Sequence, residues 1–516
     1  MGGCVLYAQT FGCATCGIEG VPITVEVDLS NGLPAFEIVG LADTAVREAR
    51  ERVRAAVRNA GFEFPARRIT ANLAPADMRK EGAALDLPLA LGLLAGTGQL
   101  QPDDIRGIVS MGELSLEGLV RPVPGVLAMV DACRKAGIQT VYVPQENLQE
   151  AALVTGVQAF GVASLQALME HLQKKKLLLP ADAAEMAQSM SPVLAGGDFA
   201  EVQGQQGAKR ALEIAAAGKH NVLLSGPPGT GKTMLARRLP SILPTLTPEE
   251  ALEVTRIYSI AGLLPREAGL VQQRPFRQPH HTISMAGLVG GGSVPRPGEI
   301  TLSHRGVLFL DELPEFSRQV LEVLRQPLEE GRVSIARAQG NYTFPASFLL
   351  IAARNPCPCG WFGSQGPHIC KCSDGEIRRY QKRLSGPLLD RIDLRVEVAP
   401  LSYGEMKSSV KTESSACIRQ RVERARACQK ERFGAGGTLV NAAMTHSQIL
   451  QYCHLSTEAE RLLAQAFQKL GMSARSHDRL LKVARTIADL DSSEGIEMQH
   501  IAEAVQLRGG EELEGL

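Results

Sequence analysis

The chain has 516 residues, enough for about three domains that each bury a core, and 44% of them are hydrophobic, as in a globular protein. Lys+Arg and Asp+Glu each number 55, so there is no overall basic excess, and a nucleic-acid surface would have to be a local patch or a product of assembly. No apolar stretch reaches the roughly 20 residues of a membrane span and Met1-Gly-Gly-Cys-Val-Leu-Tyr7 lacks a secretory leader's pattern, so a cytoplasmic protein with no membrane partner is expected.

Residues 1–172 alternate short β-like runs (Ile23 to Val27, Ile69 to Leu73, Thr140 to Val143) with amphipathic stretches, which predicts one α/β domain. Within it, a predicted helix from Val46 to Asn59 carries Arg47, Arg50, Arg54 and Arg58 beside an apolar stripe of Val46, Ala49, Val53 and Val57. Such a basic stripe is either a solvated face or a guide for DNA. Cys13 and Cys16 have metal spacing but no second pair nearby, and are expected to be free thiols. Breakers gather from Lys174 through Pro180, Ser191, Pro192, Gly196 and Gly197, which marks residues 173–197 as a linker.

The next segment, 198–400, reads as a parallel-sheet motor. The apolar run Asn221-Val-Leu-Leu-Ser225 leads into Gly226-Pro227-Pro228-Gly229-Thr230-Gly231-Lys232-Thr233 and then a helix-compatible stretch from Met234 to Leu239. This matches GxxxxGK[ST]: glycines let backbone N–H groups wrap phosphates, Lys232 reaches the β and γ oxygens, and the Thr233 hydroxyl ligates magnesium. A second buried-strand pattern, Val307-Leu-Phe-Leu310, ends in Asp311 and Glu312. Asp311 is expected beside the magnesium and Glu312 where an attacking water must lose a proton. After Phe348-Leu-Leu-Ile-Ala-Ala, Asn355 stands at a third strand end, placed to sense the γ-phosphate. Arg391 in Leu388-Leu-Asp-Arg-Ile and Arg475, which opens a helix running from Ser476 to Leu490, are further candidate phosphate ligands. Beyond Pro400 the chain (401–516) reads as an all-helical lid.

Three other features lie in the motor. Residues 331–347 contain two β-compatible arms around Gln339-Gly340-Asn341, a hairpin with a flexible tip. Cys357, Cys359, Cys370 and Cys372 form CxC-x10-CxC with Gly360, Gly363 and Gly366 between the pairs, which suits four thiolates around one structural zinc, with iron an alternative that spacing leaves open. His280 and His281 invite a metal reading, but neighbours on an extended chain point apart.

The phosphate loop, Asp311-Glu312, Asn355, Arg391 and Arg475, in this order, resemble an AAA+ ATPase of the branch that holds the magnesium-chelatase motor and the MCM helicases. More narrowly, Gly32-Leu-Pro-Ala-Phe-Glu-Ile-Val-Gly40, Phe276-Arg-Gln-Pro-His-His-Thr282, Gly298 to Gly306 and Asn355-Pro-Cys-Pro-Cys-Gly360 resemble the YifB/ComM family of magnesium-chelatase-like ATPases, nearly end to end. The resemblance implies a homo-hexameric ring using ATP and Mg2+ at its seams, with Lys232, Thr233, Asp311, Glu312, Asn355 and Arg475 on one side and Arg391 from the next subunit. It also implies that Val202, Gly204 and Gln205 lie near the adenine, although a β-turn explains that stretch equally well, and that Arg337 of the hairpin grips a DNA backbone. Lys80-Glu-Gly-Ala-Ala84-Leu, Gly112 to Gly118 and Ala136 to Pro144 resemble the proteolytic domain of Lon proteases, which implies a Lon-protease-like (ribosomal S5 domain 2-like) front domain. Where that family has its serine and lysine this chain has Ala84 and Leu127, so no nucleophile or activating amine remains there.

These features predict an ATP-driven motor that moves on DNA without reading sequence. The family narrows it to a helicase promoting branch migration of recombination intermediates in natural transformation. The alternative is a chelatase-type motor that remodels a protein partner without DNA.

Overall fold

The computed structural model describes residues 7–41, 43–181, 197–265, 269–292, 295–337, 340–364, 368–401, 412–434 and 440–508. Most of the expected linker (182–196), the hairpin tip at 338–339 with Gln339, and Gly366 of the cysteine loop lie outside these residues.

The front domain holds a four-stranded sheet in the order Tyr7–Cys16, Glu19–Ser30, Arg68–Ala74, Ala35–Val39, with the first pairings antiparallel and the last parallel. A smaller parallel sheet orders Ile108–Ser110, Thr140–Pro144 and Gln158–Val162. Helix Thr44–Asn59 starts where Asp43 Oδ1 accepts the Val46 N–H at 2.7 Å, and it buries Val46, Ala49, Val53 and Val57 as its stripe predicts. Of the arginine stripe, Arg54 and Arg58 lie over the Phe64 ring, 5.8 and 5.5 Å from its centroid. Helix Asp86–Gly96 is buried all round, and its first residue, Asp86, holds Arg52 at 2.7 and 3.0 Å. The first residues of the breaker-rich segment still belong to this domain: Ala181 N–H donates to Ala159 and Pro180 bridges to Phe160.

The second domain holds an all-parallel five-stranded sheet in the order Phe276–Arg277, Val307–Leu310, Leu349–Arg354, Val222–Ser225, Leu394–Glu397. Its central strands are apolar because both faces are covered. Val222, Leu224, Phe309 and Ile351 face a core shared with Leu212 and Ile214 of helix Gln206–Gly218 and with Ile418, Val422, Leu480 and Ile487 of the lid. The alternate residues Leu223, Leu308, Leu310 and Leu350 face a second core, shared with Val333, Ile335 and Phe344 of the hairpin. The period-2 side-chain alternation thus sorts the lid to one face and the hairpin to the other. Five helices form the described lid: Ser415–Phe433, His446–Tyr452, Thr457–Lys469, Ala474–Leu490 and Met498–Gln506.

The front domain meets the second domain at helix Pro248–Ile260. Arg256 pairs with Asp131 at 3.0 Å, the Ser259 hydroxyl donates to Glu150 at 2.6 Å, and the Gly125 N–H donates to the Ser259 carbonyl at 3.0 Å. Ile18, at the turn between the first two strands, packs on the hairpin core. No helix among the described residues is long and apolar enough to cross a membrane.

Candidate active site and cysteine centre

The phosphate loop leaves strand Val222–Ser225 through Gly226, where a Cβ would come 2.3 Å from the Val398 carbonyl oxygen of the neighbouring strand end. Only glycine fits so close a backbone approach. Gly229 and Gly231 have φ of +79° and +89°, the left-handed region that glycine enters without strain, and helix Lys232–Arg238 begins immediately after. Lys232 is buried; its Nζ donates to the Gly226 and Pro227 carbonyls at 2.6 and 2.8 Å and to Asn355 Oδ1 at 3.2 Å. Burial holds its pKa below the ordinary lysine range, against the pull of Asp311 and Glu312. The Thr230 hydroxyl closes the loop onto the Pro227 carbonyl at 3.0 Å.

Parallel pairing brings the three strand ends together. Leu310 lies opposite Ala352 and Ser225 opposite Arg354, so Asp311, Asn355 and the phosphate loop emerge side by side. The Thr233 hydroxyl donates to Asp311 Oδ2 at 2.8 Å, which puts the two expected magnesium ligands in contact, and the Glu312 N–H donates to Asp311 Oδ1 at 3.0 Å. A hydroxyl and a carboxylate oxygen beside phosphate-directed N–H groups are the hard donors magnesium takes, so these residues fit the ion. Glu312 stands on the exposed side with φ +52°, a conformation uncommon for a side chain larger than glycine's.

The adenine candidates form a turn. Gly204 and Gln205 both have positive φ, at 59° and 54°, and helix Gln206–Gly218 follows. Gln205 Nε2 donates to Ala399 at 2.7 Å and to the Thr230 carbonyl at 3.5 Å, which ties this turn to the phosphate loop. The Val202 side chain is buried in the core, and its carbonyl accepts from Lys209 Nζ at 2.5 Å. Lys209 and Arg354, whose Nε donates to Ser225 Oγ at 3.0 Å, were not legible as site residues; neither stands in a motif.

The two arginines lie elsewhere. Asn221, at the start of the phosphate-loop strand, donates from Nδ2 to the Arg391 carbonyl at 3.0 Å, which places Arg391 at the opposite end of that strand from Lys232. Its guanidinium donates to the Pro387 carbonyl at 2.6 Å and pairs with Glu329. Arg475 is exposed at the start of helix Ala474–Leu490. Its neighbour Ser476 accepts from Arg508 at 3.2 Å, and Ser473, Ser476, Arg508, Arg395 and Asp390 line one cavity of about 260 Å³. Arg475 therefore sits toward Arg391's end of the sheet, not on the Lys232 side where it was expected. The lid causes this, because it docks below the strand starts, with Thr486 hydrogen-bonded to His220 at 2.8 Å.

The hairpin pairs Arg332–Arg337 with Gly340–Pro345, Arg337 opposite Gly340, so Gly340 and Asn341 belong to the second arm and not to the tip. Arg337 is exposed, and its guanidinium approaches the ribbon formed by Gly290–Gly291 and Arg296–Pro297: a Cβ on Gly291 would lie 3.4 Å from Arg337 Nη2. The histidine rings do not point apart. Ile283 N–H donates to the His280 carbonyl at 3.0 Å, so the chain turns there, and the two ring centroids lie 4.1 Å apart.

The four cysteines converge, with all Sγ atoms within 4.8 Å of one another, the one such cluster among the described residues. Sγ separations are 3.3 Å for Cys357 to Cys359, 3.7 Å for Cys357 to Cys370 and 3.6 Å for Cys359 to Cys370. A tetrahedron with Zn–S bonds of about 2.3 Å has S–S edges of roughly 3.8 Å, close to these values. Backbone N–H groups of Trp361 and Lys371 bring the Cys359 thiol down to about 6, while burial and the neighbouring thiols push Cys370 and Cys372 up, as expected of four sulfurs crowded together with no cation between them. This cluster could hold one zinc.

In the front domain Ala84 and Leu127 are both buried in one apolar cluster, and the Leu127 N–H donates to Glu150 at 3.3 Å. No hydroxyl or amine stands at either position.

A parallel sheet with a glycine phosphate loop, an Asp-Glu strand end and a helical lid defines a P-loop domain of the AAA+ ATPase class, whose members use nucleotide with Mg2+. Three family descriptions match in order: subunit ChlI of magnesium chelatase over residues 25–147, the magnesium chelatase subunit ChlI over 198–406, and its C-terminal part over 412–508. The chain is 46% identical to YifB of Escherichia coli (strain K12) over 503 residues and 44% identical to the competence protein ComM of Haemophilus influenzae over 502, each alignment covering 96% of both chains. A stretch of 144 residues, 26% of this chain and 18% of the other, is 30% identical to a Lon protease of Mycolicibacterium smegmatis. The protein belongs to the YifB/ComM family of magnesium-chelatase-like AAA+ proteins.

Proposed function

We propose that this protein is an ATP-hydrolysing ring motor that moves on DNA, a hexamer in the cytoplasm that promotes branch migration of recombination intermediates. One observation carries the ring: Lys232, Thr233, Asp311, Glu312 and Asn355 gather at one end of the sheet while Arg391 is fixed at the other. A complete phosphoryl-transfer site then needs a second copy, whose Arg391 and Arg475 reach across the seam to the transferring phosphate. Lys232 grips the phosphates, Thr233 and Asp311 hold magnesium, Glu312 takes the proton of the attacking water, and Asn355 orients that water.

DNA is favoured by the similarity to a competence protein over nearly the whole chain and by the exposed Arg337 beside Gly291, where two ribbons meet. Contacts of this kind go to phosphates, so binding is sequence-independent and salt-sensitive. The chelatase descriptions support a second reading, a motor that remodels a protein partner without DNA. Strand displacement from a three-strand junction and from a simple fork, with Lys232→Ala as control, separates the two. Lack of ATP-dependent displacement on both substrates would sink the DNA reading.

A further inference from the structure

A guanidinium N–H that is buried without an acceptor is costly, and native structures rarely leave one so. Where the edge strand Leu394–Glu397 meets the lid, three stand unused among the described residues: Arg395 Nε, Arg508 Nη1 and Arg479 Nη1 are buried and find no hydrogen-bond partner. Arg395 and Arg508 line the cavity of about 260 Å³ together with Ser473 and Ser476, a space several times the ~30 Å³ share of one water.

The backbone and the capping serines fix these donors in place. The Arg395 N–H donates to the Leu507 carbonyl at 2.6 Å, which ties the edge strand to the end of helix Met498–Gln506. Arg508 Nη2 donates to Ser476 Oγ at 3.2 Å, and Ser473 Oγ accepts the Ser476 N–H at 3.2 Å as the cap of helix Ala474–Leu490. The acids nearby do not use up the positive charge. Asp393 accepts the Asn221 N–H at 3.1 Å, faces His220 at 3.6 Å and stands 3.9 Å from Arg479 Nε. Asp390, the one carboxylate among the lining residues, is exposed. Three arginines thus face two aspartates. Burial, with the nearby Arg479 and Arg395, holds the Arg508 guanidinium below its ordinary range, against the pull of Asp393 and Asp390.

Guanidinium forks, hydroxyls and the first turn of a helix are donors that suit a tetrahedral oxyanion. We infer that this cavity binds a phosphate-class oxyanion, held by Arg395 and Arg508 with Ser473 and Ser476 as further donors. It is separate from the phosphate loop, because Asn221 links Asp393 to the end of the phosphate-loop strand opposite Lys232. Two sources supply such an anion: free phosphate, or the phosphate tail of a nucleotide held by a neighbouring copy, since Asp390 and Ser476 adjoin Arg391 and Arg475 in the chain. Only the second source rests on the ring reading.

Hydrogen exchange on the full-length protein tests this. With the phosphate loop disabled by Lys232→Ala, inorganic phosphate, compared with chloride at equal ionic strength, should slow exchange at residues 473–480 and 505–508 several-fold. Arg508→Gln or Arg395→Gln in that background should abolish the slowing, Arg508→Lys should keep part of it, and Asp390→Asn should shift half-protection to lower phosphate. In the protein with Lys232 intact, slowing by ATPγS that is lost in Arg508→Gln, without slowing by inorganic phosphate, assigns the site to the neighbour's nucleotide. Slowing by inorganic phosphate in a protein that hydrolyses no ATP leaves the site standing while the ring reading falls. No slowing of these residues by either anion overturns the proposal, as does slowing that survives both arginine substitutions in proteins of normal circular dichroism.

Discussion

Gly360 of the cysteine loop lies directly against Pro228 of the phosphate loop: at φ +85°, a Cβ on Gly360 would come 2.6 Å from Pro228 Cδ. The two loops follow adjacent strands, so the loop that can hold a metal also buttresses the loop that grips nucleotide. Left-handed backbone costs an alanine about 1–2 kcal/mol before any clash. Gly360→Ala should therefore raise the KM for ATP several-fold with the fold retained, read by ATP titration and circular dichroism. Elemental analysis should find about one zinc per chain, lost in a Cys357→Ser/Cys359→Ser double variant together with nucleotide affinity.

Arg391 is predicted to act across a seam. Arg391→Ala should bind ATP normally and lose turnover by ~10³-fold or more, as for other arginines donated to a transferring phosphoryl group. Lys232→Ala should be inactive through the other half of the same site. Mixing the two inactive proteins restores some seams with both residues intact, so partial recovery of hydrolysis is expected; a mixture as inactive as its components would argue against a shared site.

At the acid end, Glu312→Gln should cut kcat by ~10²-fold or more, the usual worth of a positioned general base, while ATP stays bound. Retained ATP should also stabilise the oligomer, visible by size-exclusion chromatography with light scattering. Asp311→Asn, which weakens the Thr233–Asp311 magnesium site, should instead demand higher Mg2+ for half-maximal turnover.

Arg337→Ala should leave basal ATP hydrolysis intact and reduce its stimulation by DNA. A protein that neutralises one phosphate fewer also shows a flatter dependence of DNA affinity on salt, by roughly one unit of slope. DNA binding and stimulation equal to the parent at every salt concentration would remove this residue from the interface.

Lys219 supplies a pH test. It follows helix Gln206–Gly218, donates to Ser347 Oγ at 2.5 Å, and is brought down to about 7 by burial and by the nearby Arg426, Arg305 and Arg274. Between that value and the ordinary 10.5 the unfolded chain holds one more proton than the folded one, so this group makes stability rise with pH across the window, by about 1.4 kcal/mol per unit at most. Urea unfolding of Lys219→Met should lack that contribution and be more stable than the parent near pH 7, the two converging towards pH 10.

Helix Thr44–Asn59 was legible because its apolar stripe has one partner surface, and the three strand ends were legible because apolar runs stop where a polar residue must begin. The arginine stripe on that helix was less so. Nothing in its spacing indicates that Arg54 and Arg58 rest on Phe64 or that Arg52, outside the stripe, pairs with buried Asp86. Arg475 was misplaced for a similar reason: a helix start shows that an arginine is available, but the docking of the whole lid on helix Gln206–Gly218 decides which end of the sheet it reaches.

By itself the sequence determined the glycine loop, the strand that ends in two acids and the paired cysteines, because each is built from backbone preferences within a few residues of one another. Only the tertiary structure decided that Gly360 supports Pro228, that His281 Nδ1 lies 3.4 Å from Glu312 Oε2, and that Arg391 faces away from its own Lys232. Those contacts depend on the order and direction of parallel strands whose partners are distant in the chain, and no local periodicity encodes that order.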